Sequence, residues 1–337
     1  MDRFNLAVIG ATGAVGRIFL SILEERNFPL NKLRLCASER SLGKKIKFAG
    51  EDHCIEPITN ELLSDSDFVF ISASSEVSLD IAPRAAKLGS IAIDDSSAFR
   101  MDRTVPLVVP EVNSKDLDQH KGIVSIPNCS TTPLTMVLHE LGKLAKINRV
   151  IVDTFQSVSG AGTGAVVELD SQTQAMYQNS KIQTSIHPHR IAFNVIPQID
   201  SFTESGYTNE EMKMVNETKK ILHRPDLNIS ATCVRVPVKI GHSEAVHIEF
   251  DQNIELKNAC STLSNSPGIT LLDDPEKNHY PMPINSEHKD DVMVGRLRKD
   301  VSSPNGLALW LSCDNLRKGA ALNAIQIAES IIDKRLI

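Results

Sequence analysis

The feature that most narrows what this chain can become is its start. Leu6–Ile9 is a short apolar run that goes straight into Gly10-Ala11-Thr12-Gly13-Ala14-Val15-Gly16. A strand that feeds a glycine loop, which in turn opens a helix, is the setting of a dinucleotide fingerprint. Glycine lets the backbone turn sharply and lie close to a pyrophosphate, while the helix N-terminus offers unpaired N–H groups and a favourable dipole. The spacing is G-x-x-G-x-x-G, a variant of the commoner G-x-G-x-x-G. Gly10, Thr12, Gly13, Ala14 and Val15 are therefore candidate cofactor contacts. The same loop also reads as a purely structural turn, so the rest of the chain has to decide.

Ala14–Glu25 carries Val15, Ile18, Phe19, Ile22 and Leu23 at helical spacing. Leu33–Ala37, Phe68–Ser72 and Ile91–Asp94 read as strands, and Ser78–Leu88 as a helix that stops at Gly89. This βαβ alternation predicts an α/β domain of Rossmann type, with a mostly parallel, doubly wound sheet. The middle of the chain differs. A helix is expected within Asn128–Lys146, then a long strand over Val150–Val158, a glycine turn at Ser159–Gly164 and a helix through Met176. Thr232–Val238 and Ala245–Phe250 are expected to pair in an antiparallel sheet, and Thr270–Asp291 to form a surface loop. These elements suggest a second, α+β domain for catalysis and dimerisation, with a mixed or antiparallel sheet. A last helix near Gly319–Lys334 is expected to pack back on the first domain. The predicted division is 1–127 with about 315–337, and about 128–314 between them.

The end of the second strand bears on the cofactor. NAD enzymes usually place an acid there for the ribose hydroxyls. Here the stretch is Cys36-Ala37-Ser38-Glu39-Arg40-Ser41-Leu42-Gly43-Lys44. Ser38, Arg40 and Ser41 suit a 2′-phosphate, which wants charge-assisted donors. That favours NADP, with Glu39 as the complication and a solvated charged loop as the plain alternative.

Charge and cysteine usage exclude other classes. Lys and Arg number 36 against 42 Asp and Glu, and no basic run suggests a nucleic-acid partner. No stretch approaches the roughly 20 apolar residues of a membrane span. The start lacks the layout of a secretory signal, so the cytoplasm is the expected location. The six cysteines form no C-x-x-C pair and sit at no zinc-like spacing with histidine. No metal is expected, and the thiols should be reduced.

One cysteine has a different setting. Ile126-Pro127-Asn128-Cys129-Ser130-Thr131-Thr132-Pro133 leads into a strong helical pattern. Ser and Thr are good caps, and Pro133 is tolerable in a first turn. A thiol near a helix N-terminus is biased toward the nucleophilic thiolate. On position alone, Cys129 is as readily a buried structural thiol as a nucleophile.

Pro127-Asn128-Cys129-Ser130-Thr131 resembles the nucleophile motif of the aspartate-semialdehyde dehydrogenases. So, in order along the chain, do Ser96-Ser97-Ala98-Phe99-Arg100-Met101, Val108-Val109-Pro110-Glu111-Val112-Asn113, Ser157-Val158-Ser159-Gly160-Ala161-Gly162, Asn194-Val195-Ile196-Pro197-Gln198, Arg235-Val236-Pro237-Val238, Gly241-His242-Ser243-Glu244 and Asn315-Leu316-Arg317-Lys318-Gly319-Ala320-Ala321. Asp95 departs from the pattern, where the family is expected to carry Asn; the change should alter a hydrogen bond near the phosphate site.

The resemblance implies reduction of β-aspartyl phosphate by NADPH to aspartate semialdehyde and phosphate, through a thioester on Cys129. This is a step toward lysine, threonine and methionine. It implies His242 as the acid–base residue, taking the thiol proton and serving the hemiacetal oxygen, and Gln156 as the residue that holds the acyl oxygen or orients the thiohemiacetal. Arg235 would clamp the substrate α-carboxylate, which suits its planar fork. Arg100, Asn128 and Lys213 would bind phosphate, and Glu210 the amino group. Glu210 and Lys213 are three apart and would share a helix face; without the resemblance they read as a surface ion pair. Ser159 and Gly160 would approach the nicotinamide and Asn315 would cap its amide. A homodimer, or a dimer of dimers, is implied as well. The nearest alternative is an N-acetyl-γ-glutamyl-phosphate reductase, whose motif carries Gly-Cys followed by Tyr. A non-catalytic NADP-binding protein would be expected to lack Cys129, His242 or the basic residues.

Overall fold

The computed structural model describes residues 2–337. The chain forms two compact units: the chain up to Asn128 together with Ala320–Ile337, and Cys129–Gly319.

The first unit is built on a seven-stranded sheet of order β3-β4-β2-β1-β5-β6-β7. Its strands are β1 Phe4–Ile9, β2 Leu30–Cys36, β3 Lys45–Phe48, β4 Glu51–Glu56, β5 Phe68–Ile71, β6 Ile91–Asp94 and β7 Ile123–Ser125. All pairings are parallel except the β3–β4 hairpin at one edge. Successive strand side chains point to opposite faces, and β1 shows it: Leu6 and Val8 enter one apolar core, Ala7 and Ile9 the other. Helix α1, Ala14–Glu25, covers the first face and stacks Phe19 on Phe70 with ring centroids 4.0 Å apart. Leu322, Ile325, Ala328 and Ile331 of the C-terminal helix complete that core. Each leucine or isoleucine so buried stabilises by about 1.5–3 kcal/mol. That helix is regular over Leu322–Asp333 and not from Gly319, because Arg317–Ala321 is a wider, π-type turn. Short helix α2, Asn60–Ser64, and helix α3, Ser75–Lys87, cover the other face, with Leu62, Leu63, Ile81, Ala82 and Ala85 inward. A one-turn helix, α4 Pro110–Asn113, lies against the C-terminal helix.

The second unit carries a six-stranded sheet of order β11-β12-β13-β10-β8-β9. These are β8 Ile147–Gln156, β9 Asn228–Arg235, β10 His242–Phe250, β11 Ile269–Leu271, β12 Val292–Lys299 and β13 Gly306–Cys313. The sheet is mixed: β9 runs parallel to β8 and β11 to β12, and the other pairings are antiparallel. The expected β9–β10 pairing does not occur, because β8 lies between them. β8 buries every second residue (Val150, Val152, Thr154, Gln156), so it can serve as an interior strand for both neighbours. The predicted loop Thr270–Asp291 is mostly loop but starts within β11. Helices α5 Thr131–Gly142, α6 Thr163–Tyr177, α7 Asn209–Ile221, α8 Leu256–Ser264 and α9 Pro283–Ser286 complete the unit. On the opposite sheet face Phe155 lies against Trp310, centroids 5.2 Å apart, and both are half-buried. No helix among the described residues is long and apolar enough to cross a membrane.

Candidate active site

Sheet register lines up one row of polar residues. His242 pairs with Cys313 of β13, and Ser243 with Phe155 of β8. Carried one residue on, the antiparallel register sets His242 opposite Gln156, which pairs with Arg235 of β9. Cys313, His242, Gln156 and Arg235 therefore cross four strands on one face, all buried. His242 opens β10, and Arg235 closes β9. The next row on that face holds Glu244, Thr154 and Cys233. Neither carboxyl oxygen of Glu244 has a hydrogen-bond partner, and burial pushes its pKa well up.

Cys129 is half-buried and directly precedes Ser130, the N-cap of α5. The Ser130 side chain makes no capping bond, and no acidic residue stands in the first turn, so the helix dipole is not offset there. Gly319 lies against the cysteine: a Cβ at Gly319 would be 2.9 Å from Cys129 Cβ.

Ser157, just beyond β8, joins the row's two basic side chains. Its N–H donates to His242 Nδ1 at 3.0 Å, and its carbonyl accepts from Arg235 Nη1 at 2.7 Å. Its hydroxyl lies 3.0 Å from the same Nδ1 and 3.1 Å from Ser159 Oγ. Asn315 Oδ1 accepts from Gly241 N–H at 2.9 Å and from the Ser157 hydroxyl at 3.2 Å, and its Nδ2 donates to Ser159 Oγ at 3.0 Å. The Asn315 amide is thus engaged behind His242, a supporting position the sequence did not suggest. Gly160 lies in front, where a Cβ would come within 3.2 Å of His242 Nε2. Burial lowers the His242 pKa to about 3; Arg235 adds to the shift, and Glu210 and the Gly241 backbone oppose it weakly. Burial also lowers the Arg235 pKa, against Glu210, Cys129 and Cys233.

Gln156 Nε2 donates to Glu210 Oε1 at 2.9 Å, and Gln156 Oε1 accepts from Thr154 at 3.0 Å. Glu210 Oε2 meets Lys213 Nζ at 3.1 Å on the same face of α7, and Lys213 also bonds Asp200 at 3.0 Å. Burial works against the Lys213 ammonium, but Glu210 and Asp200 outweigh it and raise its pKa. A Thr208–Glu211 capping box starts α7, and Glu211 also accepts the N–H of Cys233, tying the helix to β9. The second unit therefore brings Gln156, Glu210, Lys213, Arg235, His242, Ser159, Gly160 and Asn315 into one connected group.

In the first unit, Gly10 ends β1 at the switch point, flanked by β2 and β5. Its φ is +90°, and a Cβ there would lie 2.1 Å from Ser72 O. Gly13 is the N-cap of α1, with no side-chain capping bond and no acid in the first turn, which leaves Thr12, Ala14 and Val15 around open N–H groups. That end fits a dinucleotide pyrophosphate. Ser38 caps the short turn Glu39–Ser41; Arg40 and Glu39 are exposed and Ser41 is buried. Arg100 is buried, its Nη2 donating to the Asp95 carbonyl at 2.8 Å. Burial pushes the Asp95 carboxyl up to about 7, with Arg100 opposing, Asp94 adding and a Ser72 hydrogen bond opposing. Asn128 is buried and immediately precedes the nucleophile candidate. Among the described residues no cluster of His, Cys, Asp or Glu could hold a metal ion.

Ser157 and Gly319 carry roles that the sequence did not assign. Ser157 acts through its backbone, which side-chain pattern cannot reveal; Gly319 acts by lacking a side chain, and its motif was the only signal.

Two family models match the chain: "Semialdehyde dehydrogenase, NAD binding domain" over residues 5–120 and "Semialdehyde dehydrogenase, dimerisation domain" over residues 138–318. The aspartate-semialdehyde dehydrogenase of Bacillus subtilis is 49% identical over 341 residues, covering 99% of each chain. That of Aquifex aeolicus is 47% identical over 338 residues, again 99% of each. Among solved structures, Vibrio cholerae aspartate semialdehyde dehydrogenase II complexed with ASA matches with a TM-score of 0.96, 42% identity and 99% coverage of both chains. The Candida albicans enzyme with NADP matches at a TM-score of 0.78, 26% identity and full coverage of both chains.

Proposed function

This chain belongs to the aspartate-semialdehyde dehydrogenase family, and on that premise we propose that it reduces β-aspartyl phosphate to aspartate semialdehyde and phosphate with NADPH. The observation that carries the reading is the buried row Arg235–Gln156–His242, joined through Gln156 to Glu210 and Lys213, in the unit that begins at Cys129.

Cys129 attacks the acyl carbon, phosphate leaves, and a thioester remains; two easier steps replace one hard displacement. Bound nicotinamide supplies the hydride. Arg235 holds the substrate carboxylate and Glu210 its ammonium, while Lys213, Arg100 and Asn128 take the phosphate. His242 and Gln156 serve the acyl oxygen. Ser159 and Gly160 border the nicotinamide, and Asn315 supports them from behind. Gly10, Thr12, Gly13, Ala14 and Val15 hold the pyrophosphate at the start of α1. Ser38, Arg40 and Ser41 take the 2′-phosphate, so the cofactor is NADP; the exposed Arg40 guanidinium favours this, and Glu39 is turned to solvent.

The protein works as a cytoplasmic homodimer assembled through the second unit. Tyr177, Ile186, Phe193, Val195 and Phe202 of that unit are exposed, and Tyr177 and Phe193 meet edge to face. Exposed apolar residues that adjoin, as Tyr177 and Phe193 do, support an association surface there. Whether dimers pair further would be read from the molar mass in solution.

The test runs the reaction backward. Protein, aspartate semialdehyde and NADP are mixed with and without inorganic phosphate, and NADPH absorbance is followed. A phosphate-dependent rise that is lost in Cys129→Ala is the expected result. No rise from protein that still binds NADP would overturn the substrate assignment.

A further inference from the structure

Strand β13 ends at Cys313, and the next residue, Asp314, is only 2% exposed. Its side chain collects backbone donors from two segments. Oδ1 accepts from the N–H of Leu316 at 2.9 Å and of Arg317 at 3.1 Å. Oδ2 accepts from the N–H of His288 at 2.8 Å. The Asp314 carbonyl takes one more, the N–H of Gly319 at 3.2 Å. A side chain that bonds the backbone two and three residues on makes the chain turn at once. Here the same residue also closes the far end, so Asp314–Gly319 is a single tied loop. The segment that holds His288 grips it again at Arg317, whose Nε and Nη2 both lie 2.7 Å from Asp290 Oδ1.

Both ends of this loop reach the candidate site. Gly319 ends it, and a Cβ there would stand 2.9 Å from Cys129 Cβ and 3.2 Å from Cys129 Cα and O. The φ of Gly319 is not in the left-handed region, so space and not conformation calls for glycine. The bare backbone of the loop is the wall on which Cys129 rests. Asn315 begins the loop, its amide held between the Gly241 N–H and Ser159 Oγ. None of the hydrogen bonds of the Asp314 side chain goes to a group assigned to the chemistry; they go to the turn that carries both supports.

We propose that Asp314 is a positioning residue for the reaction: by tying the turn Asp314–Gly319 it sets the place of Cys129 through Gly319 and of Ser159 through Asn315. This rests on the reading of Cys129 as nucleophile given above. Converging N–H groups need acceptors, and aspartate offers two oxygens with lone pairs enough for all of them. Asparagine offers one such oxygen, so whichever way its amide turns, its NH2 faces an N–H, donor against donor. Alanine offers none, and buried N–H groups without partners are relieved only if the turn opens. Gly319 then leaves Cys129 unsupported. A nucleophile needs to be off its line by only a small distance for the reaction to slow.

The test compares Asp314→Ala and Asp314→Asn in the full chain with a control, Asp300→Ala. Asp300 also gathers several donors, from the Ser302 N–H and hydroxyl and from His247, but beside Gly306, where β13 starts. Its loss weakens the same sheet at the end away from Cys313. In the phosphate-dependent reverse reaction, kcat of Asp314→Ala should fall about 10- to 100-fold. The KM values for NADP and phosphate should stay within about threefold, the pattern of a misplaced reacting group and not of lost binding. Alkylation of Cys129 near neutral pH, read by mass spectrometry of its peptide, needs no turnover. It should slow about tenfold in Asp314→Ala, because the thiolate is favoured by its place at the start of α5. Asp314→Asn, which can keep the bonds to Leu316 and Arg317, should recover most of both rates. Asp300→Ala should lose stability in urea and keep both rates. Wild-type kcat and alkylation in Asp314→Ala, or equal losses in Asp300→Ala, would overturn the proposal and leave Asp314 a structural residue. If Asp314→Ala does not fold, Asp314→Ser decides, since its single short oxygen reaches the turn and not His288. Both rates should then fall below those of Asp314→Asn, and wild-type rates in both variants would overturn the proposal. If no phosphate-dependent reaction is seen while alkylation follows the stated order, the reaction assignment falls and the positioning of Cys129 stands.

Discussion

Gly160 lies so close to the imidazole of His242 that a Cβ on it would stand 3.2 Å from Nε2 and 3.3 Å from Cε1. It would also stand 3.0 Å from Arg235 Nη1. The φ of Gly160 is not in the left-handed region, so a side chain there costs space and not backbone strain. Gly160→Ala should therefore fold with stability changed by less than about 1 kcal/mol. Its kcat/KM should fall about 10- to 100-fold, because small displacements of reacting groups are costly. Steady-state kinetics beside urea denaturation separates the two effects; a fully active variant would show that the space is unused.

Lys213 joins Glu210, which is buried, to Asp200, which is exposed. Lys213→Ala leaves the Glu210 carboxylate short of its cation. Since Lys213 is itself partly exposed, the cost should be about 1–3 kcal/mol, less than for a fully buried pair. The KM for phosphate in the reverse reaction should rise about tenfold or more, from loss of a charge-assisted contact. An unchanged phosphate KM would remove Lys213 from the substrate site and leave it a structural ion pair.

The lowered basicity of His242 has a consequence for folding. An unfolded chain takes up a proton there near the ordinary value of 6.5, the folded protein only at about 3. Between these values the unfolded state binds more protons, so stability falls as pH drops from about 6.5 to about 3 and then levels. His242→Asn should flatten that limb. Denaturation midpoints of both proteins across the acid range decide it; parallel curves would mean the ring is not the group responsible.

Asp95 works in the opposite direction. Its carboxyl is raised from 3.8 to about 7, so its contribution is complete below about 3.8 and is lost as pH rises to about 7. Asp95→Asn removes the ionisation. The variant should gain on wild type as pH rises through this window, with the difference constant beyond it. The same denaturation series checks it, and a difference independent of pH would place the ionisation of Asp95 outside this range.

What the sequence made legible was set by periodicity. The helix Ala14–Glu25 was read at both ends because Ile18, Phe19, Ile22 and Leu23 repeat with its turn and glycine precedes it. The β3–β4 hairpin was not read. Lys45-Ile46-Lys47-Phe48 and Glu51–Glu56 lie at the sheet edge, where half the side chains face solvent and charge hides the alternation. Strand order in the second unit was missed for another reason. β9 and β10 are near in sequence, but the pairing of each with β8 is a long-range choice that local pattern does not encode. In the candidate site, the family motifs pointed to His242 and Arg235. Their link is the peptide group of Ser157, which any residue but proline could supply.

The row Cys313–His242–Gln156–Arg235 has a consequence for how the gene can change. Its members share a face only because each strand counts in twos. Deleting one codon within β8 or β10 would turn the remaining side chains over, sending Gln156 or His242 toward the face of Phe155 and Trp310. Deleting two neighbouring codons would shorten the strand and keep the facing. Tolerance to insertion and deletion in this sheet should therefore come with a parity, even lengths surviving more often than odd. A library of short in-frame deletions scored by growth on the reaction product would display it as an alternation.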